Sequence, residues 1–141
     1  MKYITNSEKD TFKLAEKFAS KLKGGEVLCL VGDLGAGKTA FTKGLAKGLG
    51  VKNIITSPTF VLMKVYDTSK NKCGIKKLAH IDAYRLSGGV ALEEIGVTDY
   101  FNDKNCITVI EWADRVKDLW PQNALEINLK ILDGDKREIN I

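Results

Sequence analysis

The sequence is short of the groups that several kinds of chemistry require. It has one histidine, His80, and three cysteines, Cys29, Cys73 and Cys106. The cysteines are odd in number, far apart and without metal-ligand spacing, so neither a disulfide framework nor a clustered Cys/His metal centre is indicated. Cys29 and Cys106 lie in or beside apolar runs and read as buried free thiols, which fits a reducing cytoplasm. Among 22 basic residues only Arg85, Arg115 and Arg137 are arginines. Three dispersed arginines do not make the arginine-rich lid of a small-molecule kinase, and none is close in sequence to the glycine loop described below. No apolar run is long enough to span a bilayer, and the N-terminus has no signal-peptide core. Linkers, internal repeats and low-complexity segments are lacking too, so residues 1–141 are expected to form one domain.

What is present is ordinary in bulk. Hydrophobic residues make up 44% of the chain and charged residues 28%, as in soluble globular proteins. The net charge of +4 permits an anionic partner without requiring one.

One stretch stands out. Gly32-Asp33-Leu34-Gly35-Ala36-Gly37-Lys38-Thr39 reads G-x-x-x-x-G-K-T, a phosphate-binding loop. The apolar run Glu26–Val31 before it suits a buried parallel strand. The residues from Ala40 to Leu49 carry apolar positions at helical spacing. The strand–loop–helix context gives the motif its specificity. Glycine permits the backbone angles and close ligand approach that such a loop needs. Its N–H groups and the helix dipole attract an anion, Lys38 reaches the β- and γ-phosphates, and the Thr39 hydroxyl ligates Mg²⁺.

The rest of the chain reads as α/β. Tyr3–Thr5 suits a short strand, and Ser7–Leu22 a helix capped at Asn6 or Ser7. Gly50 is a natural helix stop. Strands are expected over 60–66 and 75–81, joined by the polar turn 67–74 into an antiparallel hairpin. Lys64, Lys70, Lys72, Lys76 and Lys77 cluster there, either as a solvated sheet edge or as an anion-facing patch. A short helix is expected over 90–95, a buried strand over 106–110 and a helix over 112–119. The tail alternates around Asp133-Gly134, a strong hairpin signal. The resulting fold class is α/β, a P-loop NTPase-like mixed β-sheet with flanking helices and antiparallel hairpins.

Two acids, Asp82 and Glu111, each follow a predicted buried strand. The carboxyl ends of strands line the ligand crevice in open α/β sheets, so either acid suits a Mg²⁺ or water-positioning role. Strand alternation puts His80 on the same face as Asp82, where a structural and a catalytic role both remain open. Thr56-Ser57-Pro58-Thr59 supplies hydroxyls suited either to a γ-phosphate-sensing loop or to a plain turn. Trp112 and Trp120 fit packing or a partner surface.

Four segments in this order and spacing resemble the bacterial TsaE (YjeE) family: the loop 32–39, Thr56-Ser57-Pro58-Thr59-Phe60, His80-Ile81-Asp82-Ala83-Tyr84-Arg85-Leu86, and Ile110-Glu111-Trp112. With the chain length, the likeness covers nearly the whole sequence. It implies an ATPase needed for N6-threonylcarbamoyladenosine in tRNAs that read codons beginning with A. It also implies partners TsaD and TsaB, contact with tRNA through their complex, and no membrane association. By the resemblance, Gly35, Ala36, Gly37, Lys38, Thr39 and Ala40 cradle the phosphates. Thr39 and Glu111 hold Mg²⁺, and Asp82 takes a Walker B-like position. Lys38, Asp82 and Glu111 carry catalysis, 56–60 matches a switch region, and Trp112 and Thr11 lie at the nucleotide. Ala40 departs from the Thr or Ser of many members, but that position needs only its backbone N–H.

With no arginine placed by sequence at the loop, slow intrinsic hydrolysis and stimulation by partners are expected. Three rival readings remain. A regulatory GTPase would use an Asn-Lys-x-Asp element, which Asn71-Lys72-Cys73-Gly74 begins but does not complete. The others are a small-molecule kinase and a non-enzymatic module whose nucleotide orders the 56–60 loop.

Overall fold

The computed structural model describes residues 1–58, 61–69, 71 and 73–141. The elements run β1 Lys2–Thr5, α1 Glu8–Ala19, β2 Val27–Val31, α2 Lys38–Gly48, β3 Met63–Asp67 and β4 Lys77–Asp82. They continue with α3 Val90–Glu94, α4 Val97–Phe101, β5 Cys106–Glu111, a 3₁₀ segment Ala113–Leu119, β6 Leu125–Asp133 and β7 Lys136–Asn140.

Among the described residues seven strands form one mixed sheet in the order β1-β7-β6-β2-β5-β4-β3. β2 lies between β5 and β6 and is parallel to both. Its unbroken run Val27-Leu28-Cys29-Leu30-Val31 follows from that position, because layers cover both faces of a central strand. The outer pairs β3–β4, β6–β7 and β1–β7 are antiparallel.

Alternation along the strands feeds two cores. On one face Leu28, Leu30, Ile107, Val109 and Ile127 pack with Phe41 and Leu45 of α2 and Ala15 and Ala19 of α1. On the other, Val27, Cys29, Ile81 and Ile110 pack with Leu92, Val97 and Val116.

Helix α1 starts where its sequence allows. The Ser7 side chain accepts from the Asp10 N–H at 3.1 Å, and Glu8 and Asp10 complement the dipole in the first turn. It packs on α2 with backbone against two glycines that leave no room for a side chain. A Cβ on Gly44 would sit 2.8 Å from the Phe12 carbonyl carbon and 3.0 Å from the Ala15 Cβ. One on Gly48 would meet the Glu16 carbonyl oxygen at 2.5 Å. Gly44 and Gly48 are four residues apart, so they clear a single face of α2.

Several expectations shift. Of the strand expected over 60–66, Phe60 lies outside the described residues and pairing begins at Met63; the antiparallel hairpin forms, with Met63 opposite Ile81. Lys70 and Lys72 of the basic cluster, and Thr59 and Phe60 of the 56–60 segment, also lie outside the described residues. Helix α4 was not expected; five residues behind Gly96, at φ 81°, are too few to show a period. The helix expected from Trp112 is instead a 3₁₀ segment from Ala113, broken at Val116. Trp112 itself takes φ 56°, the only left-handed non-glycine among the described residues. No helix among the described residues is long and apolar enough to cross a membrane.

Candidate active site

The loop between β2 and α2 reaches the carboxyl edge of the sheet. Gly35 at φ 79° and Gly37 at φ 104° hold conformations that side chains disfavour. Gly37 is also the N-cap of α2 and supplies no side-chain cap, so the first-turn amides of α2 keep their capacity for an incoming anion. A Cβ at Gly35 would meet no atom within 4 Å, so that backbone faces open space.

Lys38 is only 5% exposed. Its Nζ donates to the carbonyl oxygens of Gly32 at 2.5 Å and Asp33 at 2.8 Å, and lies 3.9 Å from the Trp112 ring centroid. The amine is thus held by its own loop and by an aromatic face. Burial lowers its pKa below the ordinary lysine value, and Glu111, Asp114, Asp33 and Asp82 partly oppose that shift.

Thr39 and Glu111 form the other half of the site. The Thr39 hydroxyl donates to Glu111 Oε1 at 2.8 Å, and Glu111 Oε2 lies 2.5 Å from His80 Nε2. The parallel β4–β5 register pairs His80 with Val109 and Asp82 with Glu111. His80, Asp82 and Glu111 therefore share one face, as alternation predicted for the first two. The hydroxyl proton is spent on Glu111, leaving the Thr39 lone pairs available. A hydroxyl and a carboxylate are hard oxygen donors, the set that suits Mg²⁺, an ion that keeps several waters and binds few protein groups. The open loop amides and the Lys38 amine suit the phosphates of ATP. The residues present therefore fit both groups.

A cavity of about 280 Å³ gathers Thr11, Gly35, Gly37, Lys38, Thr39, Ala40, Glu111 and Trp112. Thr11 reaches it from α1, its hydroxyl paired with Thr5 Oγ1 at 2.8 Å. Two predicted residues stand apart. Ala36 has its side chain in the core, and its N–H donates to the Asp33 carbonyl at 3.0 Å. Asp82 lies in an adjoining cavity of about 310 Å³ that shares Thr39, Glu111 and Trp112 with the first. Its Oδ2 accepts from the Ser57 hydroxyl at 2.6 Å and its Oδ1 from the Tyr84 N–H at 2.9 Å. Both oxygens of each acid thus have a hydrogen-bond partner.

Arg137, which is far from the loop in sequence, reaches it in the fold. From β7 it lines the cavity that holds Lys38 and Thr11, and its Nε and Nη2 donate to the Gly35 carbonyl at 3.2 and 3.0 Å. No sequence signal pointed to it, because 102 positions separate the two residues. Tyr84 stacks obliquely on Trp112 at 4.9 Å, and Arg115 lies over both rings, at 5.3 Å from Tyr84 and 5.4 Å from Trp112.

Comparison with known proteins agrees with this architecture. The sequence profile of the family described as "Threonylcarbamoyl adenosine biosynthesis protein TsaE" matches residues 5–139. The chain is 45% identical over 140 residues to the tRNA threonylcarbamoyladenosine biosynthesis protein TsaE of Aquifex aeolicus, covering 98% of this chain and 92% of that one. To the TsaE of Bacillus subtilis it is 40% identical over 139 residues, covering 99% and 83%. The crystal structure of Bacillus subtilis YdiB superposes with a TM-score of 0.77 at 36% identity, covering 99% of this chain and 82% of that one. The chain belongs to the TsaE family of tRNA threonylcarbamoyladenosine biosynthesis proteins.

Proposed function

We propose that this chain is the ATP-binding and ATP-hydrolysing component of tRNA threonylcarbamoyladenosine biosynthesis. In this reading it works in the cytoplasm as one domain. It supports repeated turnover of a TsaD–TsaB complex on tRNAs that read codons beginning with A. The observation that carries the reading is the convergence of Lys38, Thr39 and Glu111 with the Gly35 and Gly37 backbone on one cavity.

The residues divide the work. The amides of Gly35 and of Gly37 to Ala40, with the α2 dipole, receive phosphate oxygens, while the Ala36 N–H holds the loop through Asp33. Lys38 exchanges its two carbonyl acceptors for the β- and γ-phosphates, so its charge is offered only when phosphate arrives. Thr39 and Glu111 hold Mg²⁺, which when bound neutralises charge on the β- and γ-phosphates. Trp112 walls the site and screens the Lys38 amine from water. A carboxylate must align the attacking water, and Asp82 and Glu111, each fixed by two hydrogen bonds, keep a further lone pair on each oxygen for it. With no group supplied in trans, hydrolysis by the chain alone is slow. A partner that supplies a cation in trans would accelerate it by about 10³–10⁵-fold.

The test is reconstitution with TsaD, TsaB, the activated threonylcarbamoyl donor and unmodified tRNA. Modified adenosine per TsaD is followed with this chain, without it, and with Glu111→Ala. Many turnovers only with the intact chain and ATP would support the reading. Equal modification in all three reactions would refute it.

A further inference from the structure

The mechanism above makes no use of the one histidine. His80 is fully buried, at 0% exposure, against a Glu111 that is itself 3% exposed. Its Nε2 lies 2.5 Å from Glu111 Oε2. Its Nδ1 is buried and finds no hydrogen-bond partner among the described residues.

These facts select one arrangement of the imidazole. A proton on Nδ1 would be a buried donor without an acceptor, which costs on the order of 1–3 kcal/mol. A proton on Nε2 meets a carboxylate oxygen. The ring therefore carries its proton on Nε2 and donates it to Glu111, while Nδ1 is left as an acceptor in an apolar wall. Leu78 and Val109, which flank His80 on the same sheet face, belong to the core under α2. The ring has no room there to turn toward another acceptor.

The consequence runs along three side chains. A carboxylate held at one oxygen still rotates about its last bond; held at both, its plane is fixed. Glu111 is gripped at Oε2 by His80 and at Oε1 by Thr39. With the plane fixed, Oε1 keeps taking the Thr39 hydroxyl proton, and the Thr39 lone pairs keep facing the cavity. We infer that His80 is a positioning residue for the cation half of the site: through its Nε2–H it orients Glu111 and, through Glu111, the Thr39 hydroxyl toward Mg²⁺. It touches neither nucleotide nor metal. The phosphate half, built from Lys38 and the loop amides, is independent of it. This inference rests on the ATP and Mg²⁺ reading given above.

Two measurements test it. A chain labelled with ¹⁵N-histidine gives a single imidazole signal set, since there is one histidine. Long-range ¹H–¹⁵N correlation is expected to show the Nε2–H tautomer with a strongly deshielded proton. An Nδ1–H tautomer, or an average of the two, would overturn the inference. The second measurement is calorimetric ADP affinity in EDTA and in excess magnesium chloride, for the intact chain, His80→Ala and His80→Gln. The magnesium-dependent gain in affinity should fall about 10-fold in His80→Ala, the lower end of the effect of removing a group that orients a metal ligand. Affinity in EDTA should stay within about 2-fold. His80→Gln offers an amide N–H at similar reach and should recover most of the gain.

An unchanged gain in His80→Ala would overturn the inference while leaving the nucleotide reading in place. Loss of the gain in both variants alike would assign the effect to packing, and would also overturn it. Failure of the intact chain to bind ADP in either buffer would remove the nucleotide reading itself, and this role with it. If His80→Ala does not fold, the intact chain's tautomer and His80→Gln still decide.

Discussion

Replacing Gly44 by alanine sets two well-characterised effects against each other. Gly44 is buried within α2, and alanine is the better helix former by about 1 kcal/mol. Propensity alone therefore predicts a more stable protein. The packing predicts the reverse. The new methyl would stand 2.8 Å from the Phe12 carbonyl carbon, 3.0 Å from the Ala15 Cβ, and closer still to the Phe12 carbonyl oxygen. Ordinary contact needs about 3.5 Å or more, so α1 must retreat by roughly 1 Å. Overpacking of this kind costs about 1–3 kcal/mol, and here it falls on backbone atoms that have no rotamer to change. The net expectation is a loss of about 1–2 kcal/mol, or a Tm lower by about 2–8 °C for a chain of this size. Lys43→Ala, at an exposed position one residue away, is the control and should stay within about 0.5 kcal/mol. Urea denaturation followed by circular dichroism reads both. A Gly44→Ala chain as stable as the parent, or more so, would refute the close-packing argument. A second readout ties the packing to the site. Retreat of α1 draws Thr11 away from Gly37, so ADP affinity should fall a few-fold as well.

Other outcomes follow from the same geometry. Because burial lowers the Lys38 pKa, its amine loses its proton at a pH below the ordinary lysine value of 10.5. ADP affinity should therefore fall as pH rises through that lowered value; an alkaline limb at or above 10.5 in a calorimetric pH series would contradict this. Arg137→Ala frees the Gly35 carbonyl from its two donors. It should weaken ADP binding about 3–10-fold while leaving the denaturation midpoint nearly unchanged, and unaltered affinity would remove Arg137 from the site. Burial and Glu126 push the Cys29 thiol up to about 12, and burial raises Cys106, whereas Cys73 is half-exposed. Iodoacetamide at neutral pH should thus add one group to the folded chain, at Cys73, and three after unfolding; mass spectrometry finding two or more on the folded chain would count against the buried thiols.

What was legible in the sequence is what is local. The loop 32–39, its preceding strand and its following helix are contiguous, so their chemistry could be read in one window. Asp82 and Glu111 were legible because strand ends in an α/β sheet have a known relation to the ligand. Partners set by register were not. Alternation placed His80 beside Asp82, but its bond to Glu111 depends on how β4 slides against β5. Arg137 reaches Gly35 only because β7 folds back along β6. The left-handed Trp112 was missed because nothing in a tryptophan announces a positive φ; β5 must end there and turn under the loop. The Gly44 and Gly48 spacing stood in plain view, but its meaning needed the second helix.

The strand order also sets a timetable for synthesis. β2 carries the loop, yet both its neighbours come from the far end of the chain: β5 begins at Cys106 and β6 at Leu125. While the polypeptide leaves the ribosome, the apolar run Val27–Val31 has neither edge paired until those segments emerge. A nascent chain stalled before Cys106 therefore holds the whole nucleotide motif and no means of using it. Truncation ahead of Cys106 therefore removes the binding activity as completely as a lesion in the motif, and it leaves a hydrophobic strand with both edges unpaired.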